Sequence, residues 1–199
     1  MRVETQPAFV LHSRRYRDTS LILELWTEDY GRVAAVARGA RKPGRRVQQI
    51  YMQPFVELLV SWTGKGSLKT LAAREVLGQA VELSGACLYS GMYINELLVR
   101  LLPHEDPHPE LYYRYRDVLR TLATAADLEP VLRSFELALL DELGYGIELS
   151  LDAESGEPIE RTGHYCYMPE LGLVRARDEN HQLPRLTGAS LLEMAAGRF

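Results

Sequence analysis

The sequence contains only two cysteines, Cys87 and Cys166, among its 199 residues. That excludes a disulfide-stapled scaffold and a zinc site closed by four cysteines, and it makes a reducing cytoplasm the default expectation. No uninterrupted apolar run approaches the roughly 18 residues that a membrane helix requires, so no membrane partner is expected. Met1-Arg2-Val3-Glu4 does not begin an apolar core with a small-residue cleavage site, so no secretion signal is read. A phosphate loop of the G-x-x-x-x-G-K-[ST] type is also missing. Gly64-Lys65-Gly66-Ser67 lacks the upstream glycine and a following helix, and it reads as a hairpin turn. There is no nucleophile elbow, and nothing marks any carboxylate pair as catalytic. No enzyme, cofactor or metal is expected.

Two near-motifs resolve the same way. His104-Glu105-Asp106-Pro107-His108 carries the letters of a zinc-peptidase helix, whose histidines must sit one turn apart on one face. Pro107 lies inside it and Pro103 and Pro109 flank it, so a helix is not expected there. His164-Tyr165-Cys166 offers two ligands where a closed tetrahedral site needs four, and it reads as a surface histidine beside a buried thiol.

What the sequence does have is charge, unevenly spread. Residues 1–80 hold 13 Lys+Arg against 7 Asp+Glu, a balance of +6. The rest of the chain carries −10, and the net charge of −4 hides the split. Such asymmetry points to two modules with different partners, the first suited to a polyanion. The strongest local feature is Arg38-Gly39-Ala40-Arg41-Lys42-Pro43-Gly44-Arg45-Arg46, five cations in nine residues with no acid. Arg14, Arg15 and Arg17 follow the first strand, and Lys65 and Lys69 flank or lie on the last. All ten cations are candidate DNA contacts, binding phosphates without regard to sequence and with steep salt dependence. Aromatic residues are interleaved, as in proteins that bind single strands in a cationic groove and stack bases on flat rings. Trp26 or Trp62 is expected inside and Tyr16 or Tyr51 near the surface.

Strands are read at 6–14, Leu21–Thr27, Arg32–Ala37, Phe55–Trp62 and Leu68–Val76 from period-two alternation and glycine-marked turns. Five short strands point to a small closed barrel, either an OB-fold or an SH3-like barrel, with the OB-fold preferred. Near Leu77-Gly78 the pattern becomes helical. Leu83–Leu102 is expected to be a largely buried helix, with Leu88, Met92, Asn95, Val99 and Leu102 inward. Glu110–Ala125 comes next, with Leu111, Tyr115, Val118, Leu119 and Leu122 inward. A third helix has Pro130 in its first turn and stops at Gly144-Tyr145-Gly146. A small hairpin within about 150–178 and a short helix at Thr187–Ala196 complete the chain. The fold expected is α+β: an OB-fold barrel over 1–78, then an α-helical domain over 79–199.

Arg133 lies in a helix expected to be largely buried, in the acidic part of the chain, Leu132-Arg133-Ser134-Phe135-Glu136-Leu137. It reads either as a partner of Glu136 or Glu129, or as a cation at the rim of an apolar groove. The second arrangement can receive a peptide ending in a hydrophobic residue and a free carboxylate.

Several stretches together resemble the RecO recombination-mediator family. They are Ala8-Phe9-Val10-Leu11-His12-Ser13-Arg14, Thr19-Ser20-Leu21, Gly31-Arg32-Val33, Ala37-Arg38-Gly39-Ala40-Arg41, Gln53-Pro54-Phe55, Leu88-Tyr89-Ser90-Gly91-Met92-Tyr93-Ile94-Asn95-Glu96-Leu97-Leu98, Arg133-Ser134-Phe135-Glu136 and Leu143-Gly144-Tyr145-Gly146. The resemblance implies an OB-fold followed by a helical domain in a bacterial, nucleoid-associated DNA repair protein. It implies binding of single- and double-stranded DNA, annealing of complementary strands, and help in placing RecA on DNA coated by the single-stranded-DNA-binding protein, SSB. RecR is the implied partner. The acidic, Phe-ending tail of SSB is implied to meet the helical domain at Arg133, with Leu132 and Phe135 beside it. Many relatives carry a four-cysteine zinc module after the third helix. This chain keeps only His164 and Cys166 there, which places it with the zinc-free branch. Relatives also usually continue past the position of Phe199 through a basic segment and a final helix.

Overall fold

A computed structural model describes residues 2–42, 52–177 and 182–199. Contacts within it group into two compact units, Met1–Leu128 and Glu129–Phe199. The change of texture at Leu77-Gly78 is therefore not where contacts divide: the first two helices group with the barrel.

The barrel is built from β1 (Arg2–Tyr16), β2 (Ser20–Thr27), β3 (Gly31–Ala37), β4 (Glu57–Thr63) and β5 (Leu68–Val76). It closes in the order β1-β2-β3-β5-β4, with β4 returning to β1. Every pairing is antiparallel except β3 with β5. Strand alternation explains the burial of β1. Ala8, Phe9, Val10 and Leu11 are all buried, although successive side chains leave a strand on opposite faces. Ala8 and Val10 join the barrel interior with Leu23, Leu25, Val60 and Trp62. Phe9 faces the other way and needs a cover.

The cover is helical. α1 (Gly85–Leu101) and α2 (Pro109–Leu122) come after the barrel. Tyr112 and Tyr115 of α2 meet Phe9 at ring separations of 5.4 and 5.0 Å, and Trp26 at 5.6 and 5.4 Å. Each such pair adds roughly 0.5–1.5 kcal/mol beyond its area burial. Both tryptophans are thus buried, Trp62 inside the barrel and Trp26 on its outer wall. Asn95 of α1 donates to the Leu11 carbonyl at 3.0 Å and accepts from the Tyr115 hydroxyl at 2.6 Å. Burial, and beside it Glu57, pushes the Tyr112 phenol far above its ordinary range; burial does the same to Tyr115. Both hydroxyls stay protonated and act as donors, Tyr112 to Glu57 at 3.0 Å.

The first helix is less buried than its composition implies. Its inward stripe is Gly91, Ile94, Asn95 and Leu98, the i, i+3, i+4, i+7 spacing of one narrow face. Asn95 and Leu102 are buried as expected, whereas Leu88 and Met92, also expected inward, are exposed. Gly91 sits at the contact itself, where an added Cβ would come within 2.9 Å of the Phe55 ring.

The loop between these helices lies on the barrel. Gly31 has φ of +62° and faces it, and a Cβ there would overlap the Asp106 carbonyl. Glu105 N–H donates to the Arg32 carbonyl at 3.0 Å. His104–His108 is therefore loop, and its two histidines do not share a helix face.

In the second unit α3 (Glu129–Glu142) ends at Gly144, φ +80°, with Tyr145 N–H donating to Leu140 O and Gly144 N–H to Asp141 O. This is the expected glycine C-cap. β6 (His164–Met168), β7 (Gly172–Arg175) and β8 (Leu186–Thr187) form a three-stranded sheet in the order β7-β6-β8, with α4 (Gly188–Ala195) after it. Ile159, Tyr165, Leu173 and Leu191 make its small core.

The segment before β6 is knotted by Asp152, 6% exposed. One carboxylate oxygen accepts from the backbone N–H of Glu154 and Ser155, the other from that of Arg175. Burial alone would raise its pKa, but these bonds outweigh it and hold the carboxyl below its ordinary value. A depressed native pKa stabilises the fold above the unfolded-state value, and that contribution is lost as pH falls through the native value. Asp152→Ala is expected to lower unfolding stability by about 1–3 kcal/mol near neutral pH. Urea titrations should show the gap between variant and parent narrowing below the carboxylate range.

Candidate nucleic-acid interface

The β1–β2 hairpin, the turn after β3 and the first residues of β5 meet around a cleft of ≈ 770 Å³. Its position is set by the pairing: Tyr16 faces Ser20 across the hairpin, while Ala34, Ala35 and Val36 run parallel to Leu68, Lys69 and Thr70. The turn after β3 is tied back to the hairpin by Arg41 N–H, which donates to Thr19 O at 2.8 Å. Gly39, φ +65°, lets that turn form, and Lys42 N–H closes it on the Gly39 carbonyl at 3.2 Å.

The expected cations are distributed unequally. Arg17, Arg38 and Lys42 line the cleft and are exposed. The Arg17 guanidinium lies over the half-buried Tyr16 ring, 5.2 Å from its centroid. Arg14 and Arg15 are exposed near the end of β1, Lys65 is exposed in the β4–β5 turn, and Arg41 is half-buried beside the cleft. Among the described residues none of these seven makes an ion pair. Arg45, Arg46 and Tyr51 lie outside the described residues.

Lys69 requires a correction. It is 5% exposed, and its ammonium is paired with Glu105 at 2.5 Å. Strand alternation puts it on the same face as buried Leu71, toward the barrel interior. It lines the cleft, but its ammonium is engaged by Glu105 and ties β5 to the loop after α1. The cleft also contains residues not singled out in the sequence: Thr19 and Thr70 supply hydroxyls, and Leu68 supplies an exposed apolar wall. No local pattern marks them, because the β3–β5 pairing that gathers them is distant in sequence and parallel.

Arg133, on α3, is 48% exposed at its side chain. Its guanidinium meets Glu136 at 2.5 Å and Glu129 at 3.8 Å. These carboxylates stand three and four residues away, on the same helix face. Leu132 is half-buried. Phe135 is a second correction. It is 2% exposed, one turn from buried Leu139, on the inward stripe of α3. Residues two apart lie on nearly opposite sides of a helix, so Arg133 and Phe135 do not form one surface. His164 is exposed, whereas Cys166 is fully buried with its sulfur 3.8 Å from the Val174 carbonyl. Burial raises that thiol's pKa. Among the described residues no group of three or more His, Cys, Asp or Glu side chains is placed to hold a metal, and no helix is long and apolar enough to cross a membrane.

A closed five-stranded barrel with a cationic cleft at its single parallel seam, followed by helices, is an OB-type domain joined to a helical module. The sequence places it more narrowly. Residues 1–80 match the family model "Recombination protein O N terminal", and residues 84–196 match "Recombination protein O C terminal". The chain belongs to the RecO family of DNA repair proteins. It is 46% identical over 198 residues to the DNA repair protein RecO of Aromatoleum aromaticum, covering 100% of this chain and 82% of that one. Identity to the RecO of Methylococcus capsulatus is 48% over 198 residues, covering 100% and 80%. With the RecO of Ralstonia nicotianae it is 43% over 194 residues, covering 97% and 71%.

Proposed function

We propose that this protein is a two-ended recombination mediator. One end, the barrel cleft, holds single- or double-stranded DNA by its phosphates. The other, around Arg133 on α3, receives the C-terminal tail of SSB. Bound strands are brought together for annealing, and RecA is helped onto SSB-coated DNA, with RecR as the working partner in a bacterial cytoplasm. No covalent step, cofactor or nucleotide hydrolysis is involved. The observation that carries the DNA reading is the convergence of Arg17, Arg38 and Lys42 on one cleft without an ion-pair partner, among the described residues, in a chain whose net charge is −4. Cations left unneutralised by their own protein release counterions when they meet phosphates, and this drives binding. The tail reading is supported by the half-exposed Arg133 guanidinium beside Leu132. A tail carboxylate exchanges there with Glu136, which holds the guanidinium in the free protein.

Neutralising Arg17, Arg38 and Lys42 together is expected to weaken DNA binding at least about tenfold at moderate salt and to flatten the slope of log affinity against log salt by about 2–3. Fluorescence anisotropy over a salt series checks this, and a gel shift that is absent at physiological salt in the parent protein would leave a protein-only adaptor. For the other end, Arg133→Ala should reduce affinity for a labelled SSB-tail peptide about tenfold or more, whereas Glu136→Gln, which removes the competing carboxylate, should strengthen it about threefold. Unchanged affinity in both variants removes Arg133 from the mechanism.

A further inference from the structure

Charge does not explain every feature of the cleft. Arg17 is a non-glycine residue held at φ +50°, a left-handed conformation that side chains with a Cβ adopt rarely. The hairpin fixes it there, since Tyr16 and Ser20 pair on either side of Arg17, Asp18 and Thr19. In this hairpin the exposed Arg17 guanidinium lies over the Tyr16 ring, 5.2 Å from its centroid. A cation needed only for its charge gains nothing from this placement. A planar cation backed by an aromatic ring has one face covered and the other available, and flat groups of that kind stack on nucleobases. Arg38 and Lys42 line the same cleft. Leu68, 42% exposed, adds an apolar wall that suits the face of a base and not a hydrated phosphate.

We propose that the Tyr16–Arg17 pair is a stacking platform for an unpaired nucleobase, so that the cleft distinguishes single-stranded from paired nucleic acid. This rests on the nucleic-acid reading of the cleft. In a duplex the base faces are already stacked on their neighbours, and only the backbone is offered. The platform therefore adds affinity for an open strand and none for a paired one. Pairing two strands at this surface removes the contact that helped to hold them, and the annealed product is held by phosphate contacts alone.

The test compares three probes on the full chain: oligo-dT, an abasic phosphodiester strand of the same length and charge, and a duplex. The parent protein is expected to bind oligo-dT about tenfold more tightly than the abasic strand. Arg17→Lys keeps the charge and loses the plane, and Tyr16→Ala removes the backing ring. Each should erase most of the preference for oligo-dT, read as the ratio of oligo-dT to abasic-strand affinity within the same variant. Equal binding of oligo-dT and the abasic strand by the parent overturns the platform. So does a uniform loss for all three probes in both variants, which is the behaviour of a simple charge contact. A preference for bases that survives both substitutions overturns it too, and assigns the stacking to other residues. Failure of the parent to bind any probe overturns the nucleic-acid reading itself, and the platform with it.

Discussion

The parallel pairing of β3 with β5 is the contact on which the rest of the first unit depends. Without it the five strands are an open sheet with two unpaired edges, and the apolar residues of β2 and β3 have no opposite wall. With it the sheet closes, Leu71 and Trp62 complete the interior, and Leu68 arrives beside Arg38 and Tyr16. The same seam makes the core and the cleft. Lys69 shows how closely the two are joined: it belongs to β5 at the seam, and its charge is used inward, on Glu105, to fasten the loop after α1.

The outer wall of the barrel is the second constraint. Phe9 and Trp26 leave their strands on the face away from the interior, and exposing two such rings would be costly. Tyr112 and Tyr115 cover them, and Asn95 supplies hydrogen bonds that only one seating of the helices satisfies. This is why α1 and α2 group with the barrel, although their sequence texture and their family segment are those of the C-terminal part of the chain. A barrel buttressed in this way holds the hairpin and the β3 turn fixed with respect to each other. A cleft made of two turns requires that fixity.

Much of this was legible in the residues. Period-two alternation located all five strands, and glycine marked the turns and the end of α3 at Gly144. The exposed cations at Arg17, Arg38 and Lys42 were legible as well, since charge density survives without knowledge of the fold. What was not legible depended on facing. Lys69 looked like the other cations, and only the register of β5 turns it inward. Phe135 looked like a neighbour of Arg133, and only the helix turns them to opposite sides. At α1, Asn95 and Leu102 are inward as expected, but Leu88 and Met92 are exposed, because apolar residues on more than one face blur the phase of the pattern. Thr19, Thr70 and Leu68 gave no signal, because strands distant in sequence bring them together.

The charge balance of +6 over residues 1–80 against −10 over the rest is the physical basis of the mediator proposed above. The central claim is that nucleic acid lies in the cleft at the β3–β5 seam. Photo-crosslinking with an oligonucleotide carrying a photoreactive base, followed by peptide mapping, tests it most directly. Crosslinks concentrated on Tyr16–Ser20, the turn after Ala37 and Leu68–Thr70 are predicted. Crosslinks confined to α1, α2 or the second unit, with none at the seam, would contradict it.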